Sequence, residues 1–200
     1  MCHIIPRHLQ TDVDKLIPQI NKCTLIHLIP SLARIIANNA EVSQLSRLRF
    51  IFVGGDALNC SLVDNLQQQF KSAKVVEFYG QTEGTVLSTY CHSSSMVNYQ
   101  TSDNIIGAAL PHAKLWILDQ QRNPVPFGVT GDLYISGEGI AKEYLNAPAQ
   151  TAESFIYLTN LDQGQFLKTG DRAKFTDEGL VQYLGRSDFQ INVNGFRIEP

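Results

Sequence analysis

The sequence predicts an α/β fold in which a partial parallel sheet with flanking helices is followed by a small antiparallel, barrel-like part. Two observations support this prediction. Segments with helical and with strand periodicity alternate up to about residue 104, which is the βαβ order of a parallel sheet. All 14 glycines lie at residue 54 or later, and short apolar segments separated by turns follow residue 104. Short apolar segments separated by turns favour antiparallel strands.

The first part is predicted to alternate helices and strands. Asp12 is a candidate N-cap for a helix that carries Val13, Leu16, Ile17 and Ile20 on one face, at the spacing i, i+3, i+4, i+7. The other elements are a strand at Thr24–Ile29, a helix from Pro30 with Leu32, Ile35 and Ile36 inward, a strand at Leu48–Val53, a helix at Ser61–Phe70 and a strand at Lys74–Phe78.

The later part is predicted to consist of short strands and turns. The segments are Lys114–Leu118, Asp132–Ser136, Gln165–Leu167, Ala173–Thr176 and Leu180–Leu184, with turns at Asn123–Gly128 and Asp177–Gly179 and an exposed loop at Ser93–Ser95. We therefore expect an α/β part over residues 1–104, a β-rich part over 105–187, and a hinge with the beginning of a further subdomain over 188–200.

Composition narrows the function classes. The chain of 200 residues is 44% hydrophobic and 18% charged, so it can bury a core. Its net charge of -3 offers no basic field for nucleic acid or an anionic membrane surface, and its apolar runs are too short to span a bilayer. The spacing of the cysteines predicts free thiols of a cytoplasmic protein, and the five histidines lack metal-ligand spacing. The cysteines are Cys2, Cys23, Cys60 and Cys91.

Five glycine-containing turns between apolar runs are the candidate functional motifs. They are Gly54–Leu58, Tyr79–Glu83, Gly131–Gly137, Lys168–Asp171 and Gly185–Asp188. Glycines directly after a buried strand allow a flat ligand to approach the backbone closely. For the first motif, a tight βα turn without a ligand is the alternative interpretation.

The second motif offers three kinds of contact at the end of a predicted strand, where ligands bind in open α/β sheets. Tyr79 has a flat face on which a base can stack, and the hydroxyl of Thr82 can donate to a phosphate oxygen. Glu83 supplies a hard carboxylate oxygen of the kind that holds Mg²⁺ together with substrate phosphates. A buried Tyr79 and a solvated Glu83 are the alternative.

The last two motifs supply an anion and a cation. Asp171 follows the strand-like segment Gln165–Leu167. Its carboxylate has acceptor oxygens for both hydroxyls of a ribose diol. Arg186 is a permanently charged, rigid fork of donors and a candidate second nucleotide contact. An Asp in a plain turn is the alternative.

In this order and spacing the five motifs resemble the adenylate-forming enzymes, most closely the adenylation domains of nonribosomal peptide synthetases. The resemblance implies ATP or AMP and Mg²⁺ as cofactors, an amino acid as substrate, and a carrier domain whose phosphopantetheine thiol receives the product. It implies catalytic roles for Thr82 and Glu83, with Glu83 as metal ligand. The implied nucleotide contacts are Gly54, Gly55, Asp56, Glu77, Phe78, Tyr79, Gly80, Asp171 and Arg186.

The resemblance also implies an acyl pocket and a hinge. Asp188 corresponds to the residue about which a C-terminal subdomain rotates. Two positions depart from the pattern: Gln81 replaces the commoner proline, with little chemical consequence expected, and Asn192 replaces a lysine. The implied pocket positions are Ile51, Val53, Val86 and Leu87. All are apolar, which favours a hydrophobic or aromatic substrate side chain. Phe78 is expected to shorten the pocket, and for Ile51 a plain core position is the alternative.

Parts of the family pattern are not found in these residues. The Ser/Thr/Gly-rich phosphate loop, the acidic residue for the substrate amine and the catalytic lysine have no counterpart here. The sequence therefore predicts an internal part of an adenylation domain, inactive in isolation and able to associate through exposed core surface. The alternatives are a non-catalytic nucleotide-binding or interaction module on the same scaffold, or part of an aryl-acid or fatty-acid ligase.

Overall fold

The computed structural model describes residues 4–6, 9, 12–39, 45–56, 58, 60–92, 104–188, 191–193 and 196–198. They form two compact units, Met1–Glu77 with His92–Ser102, and Phe78–Cys91 with Asp103–Pro200. Residues 78–91 belong to the second unit, whereas the predicted α/β part, residues 1–104, includes them. The predicted domain boundaries stay a prediction. The predicted loop at Ser93–Ser95 lies outside the described residues.

The first helix of unit 1, α1 (Val13–Ile20), forms as the sequence predicts. The Asp12 side chain accepts a hydrogen bond from the backbone N–H of Lys15, which satisfies one of the free donors at a helix N-terminus. Leu16, Ile17 and Ile20 are buried. The predicted cap and inward face are therefore confirmed.

The second helix, α2 (Pro30–Asn39), begins at the predicted proline, but its inward face is rotated from the expected one. Ile36 is buried and Leu32 packs against the core, as predicted. Ala33 and Ala37 are buried as well, whereas Ile35 is 42% exposed, so the prediction for Ile35 is wrong. The small residues let the helix approach its neighbours along the Ala33–Ile36–Ala37 stripe, at the i, i+3, i+4 spacing of one face.

The strands of unit 1 also lie where the sequence predicts them. They are β1 (Leu25–Leu28), β2 (Phe50–Gly54) and β3 (Lys74–Tyr79), whose last two residues belong to unit 2, with helix α3 (Cys60–Gln69) between β2 and β3. Strands β1 and β2 pair in parallel from Leu25 opposite Phe50 to Leu28 opposite Val53. Side chains from these strands and from all three helices form one continuous apolar core.

Unit 2 is a curled antiparallel sheet. Its spatial order is β4-β5-β10-β9-β7-β6, with β8 also paired to β9. The sheet is a half-barrel, which refines the predicted barrel-like part and confirms the α/β class. The elements are β4 (Thr89–His92), β5 (Ile105–Ala109), β6 (Ala113–Leu118), β7 (Gly131–Gly137), α4 (Pro148–Ser154), β8 (Phe155–Tyr157), β9 (Gln165–Phe175), β10 (Val181–Arg186), β11 (Ile191–Val193) and β12 (Phe196–Ile198).

Strand β9 differs from the sequence prediction. The segments predicted as two strands with a turn at 168–171 between them form one strand of 11 residues. The polar residues 168–171 stay in the sheet because β9 pairs with β7. The register of this pairing shifts between Asp132 and Tyr134 of β7. Gly170 has φ +77°, a left-handed conformation that glycine adopts without strain. Asp171 is therefore a strand residue beside an irregularity, not a turn residue.

Two further sequence expectations concern cysteines and membranes. Among the described residues, Cys23 and Cys91 form no disulfide bond, in agreement with the predicted thiols, while Cys2 and the side chain of Cys60 lie outside the described residues. In the part of the chain that the structure describes, no helix is long and apolar enough to cross a membrane.

Candidate functional site

The carboxylate of Asp171 is the centre of a polar network in unit 2. Asp171 is only 2% exposed. Its Oδ2 accepts hydrogen bonds from the Tyr79 hydroxyl and from Nε2 of Gln81, the latter at 3.0 Å. Its Oδ1 accepts from NH1 of Arg186 at 3.2 Å. A buried charge needs such partners, because its desolvation would otherwise be uncompensated.

The guanidinium of Arg186 links two carboxylates. Besides its contact with Asp171, it donates from Nε and NH2 to the two oxygens of Asp188, at 2.8 and 2.5 Å. This two-point contact is the strong fork geometry of an arginine–carboxylate pair. A Cβ on Gly170 would lie 2.5 Å from Oδ2 of Asp188 and 2.6 Å from NH2 of Arg186. Glycine at position 170 therefore makes room for the pair.

Electrostatics in this network is set first by burial. Burial raises the pKa of the Asp171 carboxyl, although the Tyr79 hydroxyl and Arg186 act in the opposite direction. Burial and then the Asp171 charge raise the pKa of the Tyr79 phenol above its ordinary value. Tyr79 therefore stays a neutral donor toward Asp171.

The ring of Tyr79 is held by packing as well as by its hydroxyl. It contacts the apolar clusters of the half-barrel, and its centroid lies 6.3 Å from that of Tyr183. An aromatic ring fixed in this way is a preorganised surface, although stacking of adenine on it remains a prediction.

Glu83 lies in a 3₁₀ turn, Thr82–Gly84, that follows β3. It is 7% exposed, and its Oε1 accepts a hydrogen bond of 2.6 Å from the Tyr144 hydroxyl. The backbone carbonyl of Glu83 accepts from the N–H of Ala141 at 2.8 Å. The Thr82 side chain is exposed. The alternative of a solvated Glu83 is therefore wrong.

The turn after Glu83 is strained. Thr85 and Val86 are consecutive β-branched residues with φ of +58° and +70°, a conformation that costs such residues energy. A Cβ on Gly80 would lie 2.2 Å from the carbonyl oxygen of Val86. The Thr85 hydroxyl donates to the carbonyl of Gly139 at 2.5 Å. The chain between Gly80 and Val86 thus forms a tight loop fixed at several points.

The candidate nucleotide residues of unit 1 lie at the carboxyl ends of β2 and β3. Gly54 is the last residue of β2, and Gly55 adopts φ +92°, which requires glycine to avoid strain. Asp56 follows in the same turn. Glu77 is buried, and this burial raises the pKa of its carboxyl to about 8.

The predicted pocket residues divide by exposure. Ile51 and Val53 belong to the buried apolar core of unit 1. Phe78 and Leu87 are half-buried and Val86 is 61% exposed. Their role in a substrate pocket stays a prediction.

Two contact residues had no role in the sequence interpretation. Tyr144 bonds to Glu83, and Gln81 bonds to Asp171 and to the carbonyl of Thr169, the latter at 2.9 Å. The departure of Gln81 from the proline pattern was a usable signal. None of the five sequence motifs includes Tyr144, so they gave no signal for it.

Comparison with known proteins identifies the family of this chain. Residues 1–145 match the AMP-binding enzyme family. The chain belongs to that family. It is 33% identical over 199 residues to gramicidin S synthase 2 of Brevibacillus brevis, covering 98% of this chain and 4% of that protein. It is 34% identical over 171 residues to tyrocidine synthase 3 of Brevibacillus parabrevis, covering 86% and 3%.

Solved structures agree. NpsA-ThdA, an artificially fused adenylation-PCP di-domain synthetase from Klebsiella oxytoca, superposes with a TM-score of 0.83 at 28% identity, over 94% of this chain and 38% of that one. The crystal structure of IdnL1 gives a TM-score of 0.86 at 27% identity, over 98% and 41%. The chain corresponds to part of an adenylate-forming adenylation domain of a nonribosomal peptide synthetase, and it spans a small share of the synthases' length.

Proposed function

We propose that this protein takes part in activating an amino acid as an aminoacyl-AMP with ATP and Mg²⁺, for transfer to the thiol of a carrier domain. The single observation that supports this best is the buried carboxylate of Asp171, bonded to Tyr79 and Arg186. These are three of the residues that the family resemblance assigns to the nucleotide. Family membership implies use of ATP or AMP, whereas the amino acid, the metal and the carrier are part of the proposal.

The hydrogen bonds that Asp171 already accepts determine how many ribose hydroxyls its carboxylate can bind. A carboxylate has about four lone-pair positions. Tyr79 and Gln81 use two of them on Oδ2, and Arg186 uses one on Oδ1. One position therefore remains for one ribose hydroxyl. Arg186, which is 20% exposed in its side chain, must shift to admit a ligand, because Asp171 itself is almost wholly buried.

The donor set also fits Mg²⁺ that arrives with a nucleotide. Among the described residues, no cluster of three or more His, Cys, Asp or Glu side chains could hold a metal. Mg²⁺ is commonly held by one or two carboxylates, water and substrate phosphates, and the Glu83 carboxylate supplies one such ligand. When bound, Mg²⁺ neutralises phosphate charge. The Tyr144 hydroxyl fixes the direction of the Glu83 carboxylate.

The proposed substrate and partner each have separate support. One of the similar solved structures joins an adenylation domain to a PCP, a carrier domain, which supports a carrier as partner. The apolar positions Val86 and Leu87 support a hydrophobic amino acid. Thr82 is exposed in the turn before them and is available to a phosphate oxygen.

Removal of the Asp171 charge tests the nucleotide role. In calorimetric titration of the full chain with AMP, Asp171→Asn should lower affinity about 100-fold or more, because charge-assisted hydrogen bonds are among the stronger ones. Asp162→Asn is the matched control, since Asp162 pairs with Lys114 at 2.7 Å and is not bonded to this network. Equal AMP binding by Asp171→Asn and the control would exclude Asp171 from the site.

Glu83→Gln tests the metal role. The variant should weaken binding of Mg·ATP by about tenfold or more and leave AMP binding within twofold, because AMP offers Mg²⁺ few phosphate oxygens. In the natural full-length protein it should also slow amino-acid-dependent pyrophosphate exchange. Glu153→Gln, at an exposed position, is the control. Nucleotide binding without any exchange in the full-length protein, across all amino and aryl acids tried, would favour a non-catalytic module.

A further inference from the structure

Gln81 makes a contact that the family pattern does not explain. Its Nε2 donates to the carbonyl oxygen of Thr169 at 2.9 Å and to Oδ2 of Asp171 at 3.0 Å. Both partners are acceptors, so the nitrogen of the amide, not its oxygen, must face them, and both of its hydrogens are used. A proline, the commoner residue at this position, has no side-chain donor and cannot make either bond.

We propose that Gln81 is a positioning residue for ribose recognition: it holds the Asp171 carboxylate in one orientation, so that Oδ1 is the oxygen left for a ribose hydroxyl. This inference rests on the nucleotide function proposed above. It deepens that function by naming the group that determines which oxygen of Asp171 is available.

The Gln81 amide has two anchor points on one strand. Thr169 and Asp171 are two residues apart in β9, and one amide binds the backbone of the first and the side chain of the second. The loop after β3 is thereby joined to β9 at the position of the carboxylate. Rotation of the carboxylate would break the Gln81 bond and the Tyr79 bond together, since both end on Oδ2.

The backbone beside Asp171 is fixed as well. The hydroxyl of Thr169 donates to the carbonyl of Leu133 at 2.8 Å and accepts from the N–H of Asp171 at 3.1 Å. The main chain of Asp171 is therefore held by Thr169, and its side chain by Gln81, Tyr79 and Arg186. Among these three side-chain partners, Gln81 is the one to which the resemblance assigned no role.

The first measurement is ribose preference in the full chain. Gln81→Met keeps length and approximate volume but removes the donors. AMP affinity should fall about tenfold, whereas affinity for 2′,3′-dideoxy-AMP should stay within twofold, so the preference for the ribose diol collapses. A merely structural role would weaken both nucleotides equally. Gln165→Met is the matched control, because Gln165 is also half-buried and donates to a backbone carbonyl, that of Lys142 at 3.2 Å.

The second measurement needs no nucleotide. Titration of the Asp171 carboxyl by carbon-13 NMR should give a higher pKa in Gln81→Met, since a donor to the charged form is lost. The charged and titratable groups around Asp171, namely Tyr79, Arg186 and Asp188, are the same in both proteins. Gln81→Pro should behave like Gln81→Met in both measurements.

The outcomes separate this inference from the proposed function. An unchanged diol preference and an unchanged Asp171 pKa in Gln81→Met, as in Gln165→Met, would overturn the role of Gln81 alone. Failure of the unsubstituted chain to bind either nucleotide would overturn the nucleotide function and the ribose role with it. The carboxyl titration would in that case still decide whether Gln81 holds Asp171.

Discussion

The two units of this protein bury different kinds of side chain. The core of unit 1 is a single apolar cluster that runs through three helices and the strands β1, β2 and β3. Unit 2 divides its apolar core into three smaller clusters. Of the buried polar and charged residues among those described, only Glu77 lies in unit 1. The others are Glu83, Ser88, Thr89, Ser136, Thr169 and Asp171, all in unit 2.

This difference assigns separate roles to the two units. A continuous apolar core provides stability through burial and close packing. A buried polar network is costly unless every member is bonded, and such networks are found where chemistry needs fixed charges. Unit 1 supplies a continuous apolar core together with the predicted nucleotide contacts Gly54–Asp56 and Glu77, whereas the buried polar network around Asp171 lies in unit 2.

Leu66→Ala should separate stability from the site. Leu66 is fully buried in the core of unit 1, so the free energy of unfolding should fall by about 2–5 kcal/mol, measured by urea denaturation. AMP affinity of the folded protein should not change, because Leu66 is a core residue and not one of the predicted nucleotide contacts of either unit. Thr169→Val should show the reverse pattern, a smaller stability loss and weaker AMP binding. A change in AMP affinity in Leu66→Ala beyond the loss of folded protein would contradict the division.

Glu77 is the exception in unit 1, and pH tests it. The folded-state pKa is raised to about 8 from an ordinary 4.5. The stability that this group contributes is fully present below about pH 4.5 and is lost as pH rises through about 8. Glu77→Gln should remove this decline and raise the free energy of unfolding by a few kcal/mol at pH 9, since a tenfold change in proton affinity corresponds to about 1.4 kcal/mol.

The unsubstituted protein is the control for Glu77→Gln. The Asp171 carboxyl, whose pKa is also raised, contributes the same trend to both proteins, so the difference between them reports Glu77. The free energies of unfolding of the variant and of the unsubstituted protein could instead change in parallel between pH 4 and pH 9. That result would show that ionisation of Glu77 does not lower the stability of the folded protein.

Val86→Asn should have the smallest effect. Val86 is exposed at φ +70°, and asparagine adopts this conformation more readily than a β-branched residue. The variant should gain up to about 1 kcal/mol of stability, measured by thermal unfolding. Val129→Asn, at another exposed valine without a positive φ, should gain nothing. A loss of stability in Val86→Asn would show that contacts of the valine side chain outweigh the backbone strain.

Much of unit 1 could be predicted from the sequence because its signals are local. The Asp12 cap and the apolar face of α1 follow from spacing within one helix. The rotated face of α2 could not be predicted, since Ala33 and Ala37 are too small to signal burial. In unit 2 the strand-like segments on both sides of residue 170 were recognised, but their union into β9 depends on pairing with β7 and β10.

The sequence by itself determined the family pattern and the residue types of the site: Tyr79, Glu83, Asp171, Arg186 and Asp188. Each lies in a short motif whose glycine and polar neighbours are adjacent in the chain. Only the tertiary structure decided their partners. Tyr79 and Asp171 are 92 residues apart, and Tyr144 and Glu83 are 61 apart. Hydrogen bonds over such separations depend on strand order and register, which no local pattern contains, and for the same reason the contact of Gln81 with Asp171 emerged only from the folded chain.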